Sequence, residues 1–171
     1  MRMPNWAGWA GLAVATALLL PLPARAVLFD LSAVLTGDQE TPPVPTGATG
    51  SADITYDDET NELAWTVTFS GLESPLVNSH FHGPAPPGVP ADVQVPIPFT
   101  PGVTSDTLMG SATITEEQEQ QLLAGLWYVN LHSEQFPAGE IRGQVVPEPA
   151  TAILVAAGVA LLSRARKREA A

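Results

Sequence analysis

A chain of 171 residues is enough for one compact domain, which typically needs on the order of 100 to 150 residues. It has no cysteine, so disulfides and thiolate chemistry are excluded and stability must come from burial. The formal charge of −11 is uneven: from Val27 to Val146, sixteen Asp and Glu face Arg142 alone, a formal −15 that argues against a nucleic-acid partner.

In chain order, the first segment reads as an export signal. Arg2 begins a basic start, the apolar stretch Ala7 to Leu22 follows, and Pro21 and Pro23 break it just before Ala24-Arg25-Ala26. Small residues at Ala24 and Ala26 are what a signal peptidase reads, so residues 1–26 are expected to be a signal peptide cut after Ala26.

From Val27 the pattern turns to period two, which marks strands with one buried face. Leu28 to Thr36 is the first candidate. Ala52, Ile54 and Tyr56 alternate next, then Leu63, Trp65, Val67 and Phe69, with the polar connector Asp57 to Asn61 of hairpin length between them. That acidic loop lacks EF-hand spacing and reads as a solvated turn rather than a calcium site. Asn78 to His82, Val93 to Phe99, Leu108 to Thr115, Trp127 to His132 and Glu140 to Val146 are further strand candidates. Pro96 and Pro98 cannot donate ladder hydrogen bonds, which places their segment at an edge.

One helix is expected after Thr115. Thr115 and Gln118 fit a capping box, Glu116, Glu117 and Glu119 sit where the helix dipole favours negative charge, and Gly125 is placed to end it. Short strands, Gly and Pro turns and one short helix predict an all-β fold, an antiparallel β-sandwich or Greek-key barrel spanning residues 27–146.

Beyond Val146 the composition changes again. Pro147-Glu148-Pro149 precedes the apolar run Ala150 to Leu162, and Arg164-Ala165-Arg166-Lys167-Arg168 follows. A helix over 150–163 would be only about 20 Å long, against a bilayer core of ~30 Å, yet the basic cluster after it favours a short membrane helix with a cytoplasmic end. The fold is thus expected to be flanked by an N-terminal signal helix and a C-terminal membrane helix.

Residues 147–171 resemble the PEP-CTERM sorting signal of Gram-negative bacteria, through the Pro-Glu-Pro motif, the short apolar helix and the Arg-rich end in that order. The resemblance implies processing near Pro147, Glu148 and Pro149 by an exosortase-type membrane protease. It also implies transient anchoring in the inner membrane, then a cell-surface or extracellular destination in a biofilm or envelope setting. The domain itself resembles the CHRD family from Leu28 to Val146. The match runs through Leu35-Thr36-Gly37-Asp38-Gln39-Glu40-Thr41-Pro42-Pro43-Val44, Gly50-Ser51-Ala52, His80-Phe81-His82-Gly83, and Tyr128-Val129-Asn130-Leu131-His132 with Pro137-Ala138-Gly139-Glu140-Ile141-Arg142-Gly143. Phe81 departs from the smaller aliphatic residue more usual there, which should alter packing rather than fold. This resemblance implies an extracellular β domain with no established enzymatic activity.

All three histidines fall in those motifs. His80 and His82 share a strand face, Asn130 and His132 share another, and neighbouring strands would bring His80, His82 and His132 to zinc or copper distances. The His-x-His strand is distantly similar to that of copper–zinc superoxide dismutases, but their remaining ligand histidines and cysteines have no counterpart here. The alternative to a metal is a structural cluster hydrogen-bonded to backbone or carboxylate. Glu140 and Arg142 also alternate on one face, opposite Ile141, and a lone arginine among so many acids is expected to pair with a carboxylate. No Gly-x-Ser-x-Gly elbow is present, so hydrolysis by a serine triad is disfavoured.

The first reading is therefore an exported, non-enzymatic surface or matrix protein without a cofactor. Its adhesion or interaction module would meet an envelope or matrix partner that the sequence does not identify. The alternative is a metal-binding redox or hydrolytic domain built on the three histidines.

Overall fold

Alternation of apolar and polar side chains builds the first wall. The computed structural model describes residues 27–148. In it β1 (Leu28–Thr36), β2 (Thr49–Asp57) and β3 (Glu62–Ser70) form an antiparallel meander. Ile54 faces Trp65 across the β2–β3 ladder and Ala52 faces Val67, so one face of each strand is apolar. Leu63, Trp65, Val67 and Phe69 are all buried, the face expected from their spacing. The expected hairpin turn is closed by Asp57, whose carboxylate accepts from the Glu59 and Thr60 amides at 2.9 and 3.2 Å. Asn61 takes the left-handed conformation, φ 57°, and accepts the Tyr56 hydroxyl proton at 2.9 Å.

The other strands are β4 (Leu76–His82), β5 (Val93–Pro96), β6 (Asp106–Thr113), β7 (Tyr128–Ser133), β8 (Ile141–Gln144) and β9 (Val146–Pro147). They join the meander in one sheet of order β5-β4-β7-β8-β1-β2-β3-β6, with β9 on β1 and every pairing antiparallel. Although β3 and β4 lie far apart in that order, the Trp65 ring meets the Phe81 ring edge-on at 5.2 Å between centroids. The sheet has therefore rolled up, and of the two expected architectures the nearly closed barrel is the one formed. The connection from β5 to β6 bridges the gap: Ile97 donates to Ser79 and Leu76 to Val103, at 2.9 and 2.8 Å.

The helix α1 (Glu116–Leu123) carries the expected capping box, and its Leu122 is wholly buried. Gly125, at φ 71°, follows as its stop. The proline-bearing β5 is indeed an edge strand. The expected single strand from Glu140 to Val146 is instead two. Val145 breaks it by burying its side chain and donating to Trp127 at 2.8 Å, after which β9 moves onto the start of β1.

Among the described residues no helix is long and apolar enough to cross a membrane. The signal peptide with Ala24 and Ala26, Pro149 and the helix expected over 150–163 lie outside the described residues.

Candidate metal centre

Both faces of β7 are covered, so all six of its residues are buried, and the cover reaches Phe81 and His82 at the end of β4 while Val77 and Asn78 stay exposed. Phe81, Val129 and Leu131 point into the barrel, where Phe81 packs between Trp65 and Trp127. The unusual residue of the His-Phe-His stretch is thus a core anchor that fixes its two neighbours on the outer face. That outer face carries His80 and His82 from β4 and Tyr128, Asn130 and His132 from β7. The register sets His82 opposite Tyr128, His80 opposite Asn130 and His132 opposite Asn78, so His132 is a diagonal neighbour of His80.

The three histidines meet as their spacing predicts. Ring centroids are 5.4 Å apart for His80–His82 and His80–His132, and 6.0 Å for His82–His132. One ring nitrogen from each lies within 4.8 Å of the other two. Zinc held at about 2.0–2.1 Å from each nitrogen needs them roughly 3 to 4 Å apart, a closure of about an ångström at the widest pair.

The hydrogen bonds select the inward-facing nitrogens. His82 Nδ1 lies 2.9 Å from the Ala91 carbonyl and His132 Nδ1 lies 3.0 Å from the Pro137 carbonyl. A carbonyl only accepts, so both rings carry the proton on Nδ1 and present a lone pair on Nε2. These two Nε2 atoms and His80 Nδ1 are buried with no hydrogen-bond partner among the described residues. A structural cluster would have given each nitrogen a bond of its own, and leaving buried polar atoms unpaired costs about 1–3 kcal/mol each. Burial is also the first cause that lowers all three histidine pKa values. His132 falls to about 4, helped by its two neighbours and opposed by the Pro137 bond. His80 is lowered further by His82, while at His82 the Ala91 bond works against the fall. Neutral imidazoles at physiological pH are the form that binds a metal.

Around this trio is a layer that sequence reasoning did not assign. The Tyr128 ring lies parallel to His82, 4° between planes and 5.0 Å between centroids, and the Arg142 guanidinium carbon sits 3.4 Å from the Tyr128 centroid. Glu40, from the opening motif, is buried near Arg142 and Asn130, and burial pushes its carboxyl up to about 7 against the pull of the guanidinium. The period-two alternation that linked Asn130 to His132 also points to Tyr128; nothing local points to Glu40.

The carboxylate expected near Arg142 is not its neighbour in sequence: Glu140 precedes β8 and accepts from Thr46 Oγ1 and the Glu73 amide, at 2.8 and 2.9 Å. The carboxylate whose charge acts on Arg142 is Glu40. Of the expected processing residues, Pro147 pairs with Leu31 and the Glu148 amide donates to Asp30 at 2.9 Å.

No curated protein and no solved structure matches the chain. Residues 31–145, more than half of the sequence and every residue of the histidine face, match the CHRD domain, and the chain belongs to the CHRD family.

Proposed function

We propose that this CHRD domain holds one transition-metal ion, zinc or copper, on the outer face of β4 and β7, with His80, His82 and His132 as ligands. The observation that carries this is that the three imidazoles converge, one nitrogen of each within 4.8 Å of the others, and that each ring keeps a buried nitrogen without a partner among the described residues. Metal binding there would recover what their burial costs. Nitrogens closed to water suit a holding site better than one that turns a substrate over, since catalytic zinc keeps an open position. We therefore read the domain as a non-enzymatic binding module.

The test is titration of the purified protein with Zn²⁺ and Cu²⁺, followed by elemental analysis and thermal unfolding. One equivalent should be retained, with a rise in Tm that is lost in His80→Ala and His132→Ala. No retained metal and no rise would refute the assignment.

The family membership also supports the coarser reading of an extracellular interaction module. The residues before Val27 and after Glu148 support export by signal peptidase and sorting by an exosortase-type protease, through the inner membrane to the surface. Because Pro147 and the Glu148 amide are engaged with β1, we place the processed bond at or beyond Glu148. Mass spectrometry of secreted protein should find Val27 first and no segment from Arg164 to Ala171. An intact tail on released protein would contradict the sorting proposal.

A further inference from the structure

Arg142 is the sole Lys or Arg between Val27 and Glu148, and the fold spends it on the ring behind a metal ligand. Strand order sets β7 between β4 and β8, so His82 and Arg142 reach the Tyr128 ring from opposite sides. One short segment fastens all three. Arg142 Nη2 donates to the Val89 carbonyl at 2.9 Å, the Ala91 amide donates to the Tyr128 hydroxyl at 3.0 Å, and His82 Nδ1 donates to the Ala91 carbonyl at 2.9 Å. Such a layered His–Tyr–Arg arrangement is costly to build by chance, because the guanidinium is largely buried and the carboxylate that acts on it, Glu40, is buried too.

Resting on the metal reading above, we infer that Arg142 is a positioning residue that acts through Tyr128 and His82 to bias bound copper toward Cu(I). Two effects share this sign. A fixed positive charge repels a divalent ion more than a monovalent one. A cation on the Tyr128 ring also draws electron density from the face that meets His82, which weakens the imidazole as a donor to Cu(II). The ligand set agrees: three neutral imidazoles closed to water withhold the additional ligands of the square-planar or tetragonal geometry that Cu(II) prefers.

Arg142 and Glu40 also line a cleft of about 480 Å³, so water screens the charge partly. At an effective dielectric of about 20 and a separation of roughly 10 Å, a unit charge then changes the balance between the two copper states about tenfold.

The experiment measures Cu(I) and Cu(II) affinities of the full chain at pH 8 by competition with chromophoric chelators, ascorbate supplying the electron for the Cu(I) arm. Arg142→Gln should raise the ratio of Cu(II) to Cu(I) affinity about tenfold, equivalent to a midpoint potential lower by about 59 mV. Arg142→Lys, which keeps the charge, should restore most of the wild-type ratio. Glu40→Gln, which removes the opposing charge while keeping the shape, should move the ratio the other way, and it decides the sign if Arg142→Gln does not fold. An unchanged ratio in Arg142→Gln, or in Glu40→Gln where Arg142→Gln does not fold, overturns the inference while leaving the metal site standing. Failure of the wild-type chain to bind copper overturns the metal reading itself, and this inference with it.

Discussion

The wall made by β2 and β3 and the wall made by β4, β7 and β8 belong to one sheet and share one core, yet they use their outer faces differently. On β2 every second residue is exposed: Ser51, Asp53 and Thr55 meet water while Ala52, Ile54 and Tyr56 are buried. On β7 the outward residues Tyr128, Asn130 and His132 are as buried as the inward ones. The first wall is chiefly a hydrophobic face, although the Trp65 indole nitrogen is also buried there without a partner among the described residues. The second has a polar layer beneath loops, and buried polar atoms must find partners. Among the described residues His80 Nδ1, His82 Nε2 and His132 Nε2 find none, and that is what the proposed metal would answer.

The largest effect that should separate the walls is Trp65→Ala. Trp65 is 4 % exposed and joins β3 to β4 through Phe81, so its loss should cost roughly 3 to 5 kcal/mol in denaturant unfolding. Metal affinity of the fraction that remains folded should fall less than in His132→Ala, because the ring reaches the histidine strand only through Phe81. A cost below about 1 kcal/mol would mean that the contact between the walls contributes little.

The next effect belongs to the second wall and is read from pH. In the metal-free protein, His132 has a folded pKa of about 4 against an ordinary 6.5, so the unfolded chain binds the extra proton and stability falls as pH drops from about 6.5 to 4. Glu40 has the opposite sign. Its folded pKa of about 7 against an ordinary 4.5 makes the folded chain bind the extra proton, so stability rises as pH drops from about 7 to 4.5. His80 and His82 act in the same direction as His132, so wild type should show a flatter profile than the histidines alone would give. Glu40→Gln should unmask a loss on the order of 1–3 kcal/mol between pH 7 and pH 4, measured by urea midpoints. A profile unchanged by this substitution would show that the opposing terms are absent.

How much of this was legible in the sequence divides along the same line. The β2–β3 hairpin, the inward face of Trp65 and the capping box at Thr115 all follow from local spacing, because alternation and caps involve residues only a few positions apart. The meeting of His80 and His82 with His132 was also legible, through two motifs on strands that become neighbours. The seat of Glu40 beside Arg142 was not, since it depends on where the 3₁₀ turn Gly37–Gln39 docks after the barrel closes. Nor was the division of Glu140 to Val146 into β8 and β9, which follows from Val145 turning inward.

The smallest effect lies outside both walls. Thr115 Oγ1 accepts from the Gln118 amide at 3.2 Å and Gln118 Oε1 from the Thr115 amide at 2.9 Å. Thr115→Ala should therefore cost about 1 kcal/mol in thermal or urea unfolding and leave metal uptake untouched. A change in metal uptake would show that the helix acts on the histidine face, along the path from Gln118 to Gln94 and from Gln94 to the Gly83 carbonyl beside His82.

The comparison of the two walls turns on whether the second one holds a metal. X-ray absorption spectroscopy of the zinc- or copper-loaded protein reads that directly, because it reports the ligands and their distances. A first shell containing three imidazole nitrogens, at about 2.0–2.1 Å for zinc, and reduced to two in His132→Ala, is the expected result. A shell of carboxylate oxygens, or one unchanged by His132→Ala, would place the ion among the surface acids and refute the site.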